Sequence, residues 1–321
     1  MELSPHTPDV IAIVGPTAVG KTAVADALAQ RLGGEVVTAD SMQVYRGMDI
    51  GTAKPSLAER SVTHHCLDLV DPGEPFSAAL FQAHARSVID TLLADGRTPV
   101  VCGGTGLYVR AALDEMEFPA GEQEDNAVRA RYERYALEHG SDALHALLAE
   151  KDPESAELIH PNNTRRVVRA LEMLEEGTSY AEQSAGFSAR RSAYPTRYVG
   201  LTMEREALYE RIDARVDAMV AAGLLGEVER LLEAGFRDAL TAMQAIGYKE
   251  LVPVIEGSAE LDEAVESIKR SSRRYAKRQL TWFRADPRIV WVDVTGLMPG
   301  EVLDAVTGAL DSGAATTKEE Q

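Results

Sequence analysis

Cysteine is scarce: the 321 residues hold two, Cys66 and Cys102. Two thiols make no disulfide framework and their spacing fits no metal site, so a reducing, cytoplasmic setting is expected. Long hydrophobic runs are missing too. No stretch approaches the ~18 consecutive apolar residues of a membrane helix. The opening MELSPHTPDV has neither the basic start nor the apolar core of a signal peptide, so no membrane partner is expected. Internal repeats and low-complexity segments are absent. Positive charge is in short supply, with 33 Lys and Arg against 51 Asp and Glu and a net charge of −18. Taken over the whole chain, that balance argues against a nucleic-acid partner. Locally it fails: KRSSRRYAKRQLTWFR, residues 269–284, carries seven Lys or Arg and no acid. Local charge is therefore the better guide.

What is present is a globular composition, 45% apolar and 26% charged, long enough for one large domain or two with ample core. VIAIV (10–14) and EVVTAD (35–40) read as buried parallel strands around a helix that Gly33 and Gly34 can terminate. A second helix, roughly Ser77 to Ala94, leads to TPVVCGG (98–104), a third strand. From about Glu115 to Tyr194 the chain is charged, rich in Ala, Leu, Glu and Arg, and helical in period. RYVGLTM (197–203) then returns to the sheet, and RIVWVDV (288–294) makes a last strand. The expected fold is α/β: a parallel sheet with helices on both faces and ligands at the carboxyl ends of the strands, plus an all-helical insertion. The core comprises residues 1–114 and 196–321 and the insertion residues 115–195, with about 1–9 and 312–321 as disordered tails.

Between the first strand and its helix, GPTAVGKT (Gly15, Pro16, Thr17, Ala18, Val19, Gly20, Lys21, Thr22) fits G-x-x-x-x-G-K-[ST]. The glycines allow successive N–H groups to point at phosphate oxygens, and the helix adds the positive end of its dipole. Lys21 contributes a full charge, and Thr22 can bind a Mg²⁺ that bridges two phosphates. A nucleoside triphosphatase adds an apolar strand ending in Asp. Here the third strand ends Cys102-Gly103-Gly104-Thr105, with no acid. Asp40, Asp68, Asp71 and Asp293 are candidates for that place and none settles it, so the loop holds either ATP or some other diphosphate. Asp40, in DSMQVY at the sheet's ligand edge, can hold Mg²⁺ through water, cap the next helix, or take a proton from a nucleophile. Gln43 and Tyr45 beyond it can offer an amide and an aromatic face to a nucleobase.

GPTAVGKT, DSMQVY, HHCLDLVDPGEPFSAALF, GGTGLYVRAA, RRVVRALE, AIGYKE and YAKRQLTWFR, in that order from residue 13 to 284, resemble the tRNA dimethylallyltransferase (tRNA isopentenyltransferase) family. The resemblance implies a core like that of P-loop kinases with a helical insertion. It implies transfer of the prenyl group of dimethylallyl diphosphate to the exocyclic N6 amine of the adenosine 3′ to the anticodon, with Mg²⁺, by a monomer acting on the tRNA anticodon arm. Asp40 is then the base, and Thr17 and Thr105 surround the reacting amine and phosphates. The diphosphate lies on residues 15–22, with Arg215 and Arg278 either adding cationic contacts or remaining solvated helix charges. The acceptor adenosine must be extruded into the site. Asp40, Ser41, Met42, Gln43 and Thr105 would contact it and its neighbours. In the insertion, Arg165, Arg166 and Arg169 offer phosphate contacts or, alternatively, a salt-bridged helix with Glu172, Glu175 and Glu176. Arg129 and Arg131 are weaker candidates. The basic stretch 269–284 borders the diphosphate, the RNA backbone or the protein's own acidic surface. His64 and His65, adjacent on an extended segment, point to opposite faces and are read as structural. Three competitors remain: a small-molecule or nucleotide kinase, a prenyl transferase acting on free adenine nucleotides, and a non-catalytic RNA-binding protein.

Overall fold

A computed structural model of the chain describes residues 10–118, 127–235, 237, 239, 242 and 245–316. In chain order, β1 (Val10–Val14), α1 (Lys21–Leu32), β2 (Glu35–Ala39), β3 (His64–His65), α2 (Ala78–Ala94), β4 (Pro99–Gly103) and α3 (Gly106–Leu113) come first. Five helices follow: α4 (Ala127–His139), α5 (Ser141–Lys151), α6 (Pro153–Leu158), α7 (Thr164–Glu175) and α8 (Tyr180–Ser188). The chain ends with β5 (Thr196–Thr202), α9 (Arg205–Ala221), α10 (Leu224–Glu233), α11 (Tyr248–Ile255), α12 (Leu261–Arg284), β6 (Ile289–Asp293) and α13 (Pro299–Thr316). Two compact units result, Met1–Leu113 with Tyr194–Gln321, and Asp114–Ala193.

The first unit holds one six-stranded sheet in the order β3-β2-β4-β1-β5-β6, with every pairing parallel. β1 is buried at all five positions, as expected of a parallel strand covered on both faces. Ile11 and Ile13 share a core cluster with Leu28 of α1 and Val306 of α13. Strand side chains alternate between faces, and α2 packs against β2 and β4 through its own buried stripe of Phe81, Ala85, Ile89 and Leu92. Ser77 caps α2 by accepting from Leu80 N–H at 3.2 Å. β3 is a strand of two residues, too short for any alternation to announce it in the sequence.

Register then positions the site. Val14 of β1 and Ala39 of β2 both stand opposite Gly103 of β4. The next residues along, Gly15, Asp40 and Gly104, therefore leave the sheet side by side at its carboxyl edge, where α/β sheets bind ligands.

The second unit is helical; apart from a bridge between Asp114 and Ser192, it has no strand among its described residues. Its core joins Tyr132, Leu144, Leu148, Val167 and Leu171. Buried Asp152 accepts from the Ser155 N–H and hydroxyl and from the Ser179 hydroxyl, which ties the starts of α6 and α8 together.

The tail expected over 312–321 is corrected in part: α13 continues to Thr316, since adding residues to an existing helix is far easier than nucleating one. Residues 1–9 and 317–321 lie outside the described residues.

Candidate active site

Gly15 opens the phosphate loop at a φ of 144°, and a Cβ there would lie 2.5 Å from the Leu201 carbonyl oxygen, so a side chain is excluded. Ala18 takes a left-handed φ of 64°, an uncommon conformation for a residue with a Cβ and one that concentrates at functional turns. Val19 is 2% exposed in the core, so only its backbone can face a ligand. α1 starts after Gly20 with no side-chain cap and no acid in its first turn. Its first amides are thus left for an anion. Lys21 folds back so that Nζ donates to the Pro16 carbonyl at 2.6 Å. Burial pushes its pKa down to about 8, with Arg215 adding to the shift and Cys102 and Asp40 opposing it. Burial likewise raises the Cys102 thiol to about 11, which keeps it protonated beside the loop.

Asp40 accepts from the Met42 N–H at 2.9 Å and so caps a turn that carries Ser41 and Met42, not the helix expected there. Thr105 receives the Ser41 N–H at 3.1 Å and donates to the Ser41 hydroxyl at 3.3 Å, joining the loops after β2 and β4. Gln43 is 7% exposed, and its Nε2 donates to the carbonyls of Thr52 and Ala53. Its side-chain oxygen is what it has left to offer a base. Tyr45 is corrected: it is 0% exposed, so it presents no aromatic face to a nucleobase and serves the core instead.

The sequence reading missed Gln279 and Tyr275. From α12, Gln279 accepts the Thr17 N–H at 2.8 Å and donates to the Gly104 carbonyl at 2.9 Å, tying the phosphate loop to the turn after β4. The Thr17 amide is therefore engaged within the protein. Tyr275 bonds to Thr105 and Gln279, and burial with the nearby Asp40 charge raises its hydroxyl to about 12. The signal for Gln279 lay inside the quoted KRQ, but neutral amides between cations carry no spacing rule.

A small polar cavity of about 80 Å³ is lined by Lys21, Thr22, Asp40, Arg215 and Tyr275. Thr17, Asp40, Thr52, Arg215 and Tyr275 also line a larger one of about 440 Å³. The larger cavity has an apolar wall of Ile212, Val216, Met219 and Ile268 and a basic rim of Lys249, Arg274 and Arg278. Arg215 thus faces the site: Nη1 donates to the Thr17 hydroxyl at 3.3 Å, and burial lowers its pKa against the pull of Asp40. Arg278, exposed, lies 5.7 Å from the Tyr275 ring. The basic stretch divides along the helix. Lys269 pairs with Asp217, and Arg273 with Asp213, both on α9, whereas Arg274 and Arg278 turn to the cavity.

Most other candidates fall elsewhere. Asp68 pairs with Lys54, Asp71 with Arg46, and Asp293 caps the turn at Thr295, so of the four acids considered Asp40 alone lines the cavities. His64, on the wall of the small cavity, bonds to Asp26 at 2.9 Å, and His65 bonds to Glu35 at 2.5 Å. In the helical unit, Glu172, 1% exposed, pairs with both Arg129 and Arg169 at 2.9 Å. Arg131 pairs with Glu175. Arg165 and Arg166 are exposed on α7.

Magnesium takes oxygen ligands and keeps several waters, using one or two carboxylates together with substrate phosphates. The Thr22 hydroxyl fits that pattern as a direct oxygen ligand, with the Asp40 carboxylate on the same small cavity able to meet a water of the ion's shell. No group of three His, Cys, Asp or Glu among the described residues forms an all-protein cage. The donor set therefore suits an ion carried in largely by a diphosphate.

Residues 43–286 match the family model described as IPP transferase, and residues 8–67 the one described as isopentenyl transferase. A tRNA dimethylallyltransferase of Geobacillus kaustophilus (strain HTA426) is 52% identical over 288 residues, covering 89% of this chain and 90% of the relative. One from Symbiobacterium thermophilum is 51% identical over 290 residues, covering 89% and 90%. Among solved structures, the full-length tRNA isopentenylpyrophosphate transferase from Bacillus halodurans superposes with a TM-score of 0.69 at 44% identity, covering 97% of this chain and 99% of that one. A eukaryotic dimethylallyltransferase acting on tRNA gives 0.77 at 31% identity, covering 90% and 74%. With a continuous match over most of its length and a phosphate loop, Asp40 and Thr105 gathered at one sheet edge, this chain belongs to the IPP transferase family.

Proposed function

We propose that this enzyme transfers the dimethylallyl group of dimethylallyl diphosphate to the N6 amine of the adenosine 3′-adjacent to the anticodon of tRNA, releasing diphosphate. The observation that carries the reading is the single small cavity in which Lys21, Thr22, Arg215 and Asp40 meet. It sets anion-binding groups beside a carboxylate, next to a larger cavity with an apolar wall and a basic rim. In the transfer, C1 of the prenyl group bonds to N6 while the C1–O bond breaks and its electrons leave on the diphosphate. The N6 proton passes to the Asp40 carboxylate. An exocyclic adenine amine is a weak nucleophile because its lone pair is delocalised, so removal of the proton as the bond forms is worth most here.

Charge on the departing diphosphate meets Lys21, Arg215 and the amides at the start of α1, which are aimed before the reaction begins. The Thr17 N–H, engaged by Gln279, holds the loop in shape instead. Thr22 would hold Mg²⁺, which when bound neutralises part of the leaving group's charge. In this reading Ser41, Met42 and the Gln43 oxygen read the extruded base, Arg274 and Arg278 meet the diphosphate or RNA phosphates at the rim, and Arg165 and Arg166 meet the anticodon arm. No helix among the described residues is long and apolar enough to cross a membrane. The reading places the enzyme in the cytoplasm, acting as a monomer.

The test is a transfer assay with labelled dimethylallyl diphosphate, Mg²⁺ and a tRNA bearing adenosine at the target position, beside the same tRNA with guanosine there. Label in the first RNA and none in the second supports the reading. ATP turnover without transfer would replace it with a kinase.

A further inference from the structure

Glu227 on α10 is a buried acid outside the phosphate site, 3% exposed. Its Oε2 accepts the backbone N–H groups of Asp49 at 3.1 Å and Ile50 at 2.8 Å. Its Oε1 accepts the N–H of Gly51 at 3.1 Å and the hydroxyl of Tyr248 at 2.6 Å. All four donors are neutral, and together they fill the acceptor sites of one carboxylate.

The segment so held is a wall of the site. Gly51 and Thr52 line the larger cavity, as does Tyr248, whose ring lies so close to Gly51 that a Cβ there would sit 2.4 Å from it. The Thr52 carbonyl accepts from Gln43 at 3.0 Å and from Arg215 Nη2 at 3.5 Å. The other terminal nitrogen of Arg215 reaches the Thr17 hydroxyl at 3.3 Å. A continuous path therefore runs from Glu227 through residues 49–52 and Arg215 to the phosphate loop. Burying a carboxylate on neutral donors is a costly way to hold a loop for stability alone. What the carboxylate supplies is a rigid four-point anchor for groups that line a reaction site.

We propose that Glu227 is a positioning residue for the transfer: it fixes Asp49–Gly51 and Tyr248 against each other, and so sets the Thr52 carbonyl that orients the Arg215 guanidinium. It touches no reacting atom and acts through Arg215. The kinetic test rests on the transfer activity proposed above, and the wild-type chain is the control for that activity. Were the wild type inactive, calorimetric binding of dimethylallyl diphosphate would take the place of the rate, with the same coupling expected.

Steady-state transfer would be measured for the full chain and for Glu227→Gln and Tyr248→Phe, each alone and combined with Arg215→Ala. In Glu227→Gln an amide donor replaces one acceptor oxygen and faces other donors, so the segment must shift. Misplacement of about 1 Å costs roughly a hundredfold in rate, so kcat should fall about 30–100-fold while tRNA affinity stays within about twofold. In the Arg215→Ala background the same substitution should cost less than about threefold, because non-additive losses mark groups acting through one another. Wild-type kcat in Glu227→Gln, or equal fold losses in both backgrounds, would overturn the proposal in favour of general packing. If Glu227→Gln fails to fold in thermal melting, Tyr248→Phe decides. It removes one donor and no charge, and a loss of about 3–10-fold is expected, again confined to the background that retains Arg215.

Discussion

Replacing Asp40 by asparagine separates the chemistry from the architecture. Asp40 accepts from the Met42 N–H at 2.9 Å, and an asparagine oxygen can take the same bond, so the turn carrying Ser41 and Met42 should stand. What is lost is a proton acceptor and a negative charge. A positioned general base contributes about 10²–10⁴-fold, or roughly 2.7–5.5 kcal/mol of activation free energy, and single-turnover transfer should slow by that factor. Affinity for the prenyl diphosphate should move the other way. Asp40 shares the small cavity with Lys21 and Arg215, and removing its charge leaves those cations freer to bind an anion. The assay pairs rapid-quench transfer at saturating donor and tRNA with calorimetric binding of dimethylallyl diphosphate to the free enzyme. A rate within tenfold of wild type would remove Asp40 from the role of base, and donor binding lost in parallel with the rate would make it a metal or binding residue instead.

Lys21 titrates near 8 because of burial, so affinity for dimethylallyl diphosphate should weaken as pH rises through about 8 and the ammonium is lost, which calorimetry across pH 7–9.5 will show. Because its unfolded pKa is higher, the unfolded chain binds more protons above pH 8; the free protein should gain stability from this group as pH rises from about 8 towards 10.5, its ordinary value. Arg165→Ala with Arg166→Ala removes two exposed cations of α7, and the log–log salt slope of tRNA binding should become shallower by about 1.4–1.8; an unchanged slope would place the RNA elsewhere. Glu172→Ala removes the buried partner that Arg129 and Arg169 share. Since both guanidiniums keep some solvent, the cost should be about 1–3 kcal/mol, read as a lower melting temperature, and no loss would mean the pairs are marginal.

How legible the site was depended on how far apart in sequence its parts lie. The phosphate loop was readable because its glycines, Lys21 and Thr22 are contiguous and flanked by a strand and a helix. Asp40 followed because it comes just after an apolar run and parallel strands end at one edge, whereas Thr105 was placed by the family resemblance. Gln279 was not legible: its partner Thr17 is 262 positions away, and nothing local marks an amide that will close a loop. Glu227 was hidden in the same way, 176–178 positions from the amides it collects. Charge patterns left open which partner each cation takes. The run 269–284 looked like one cationic face, yet it divides between acids on α9 and the cavity. Arg169, read towards phosphate or towards the acids of its own helix, pairs with buried Glu172 one turn along, and only tertiary packing shows that this acid also takes Arg129 from α4. Tyr45 failed for another reason: an aromatic after a ligand loop is as useful to the core as to a base, and sequence does not say which way it turns.

The central claim is that the loop of residues 15–22 holds a prenyl diphosphate whose carbon chain, not its phosphate, is transferred. The most direct measurement is nucleoside analysis by mass spectrometry of tRNA incubated with the enzyme, Mg²⁺ and deuterated dimethylallyl diphosphate, with released diphosphate assayed in parallel. The account predicts a deuterated prenyl group on N6 of one adenosine beside the anticodon, with one diphosphate released per group transferred. Diphosphate release without label in the RNA, or phosphate in place of prenyl on the acceptor, would contradict it.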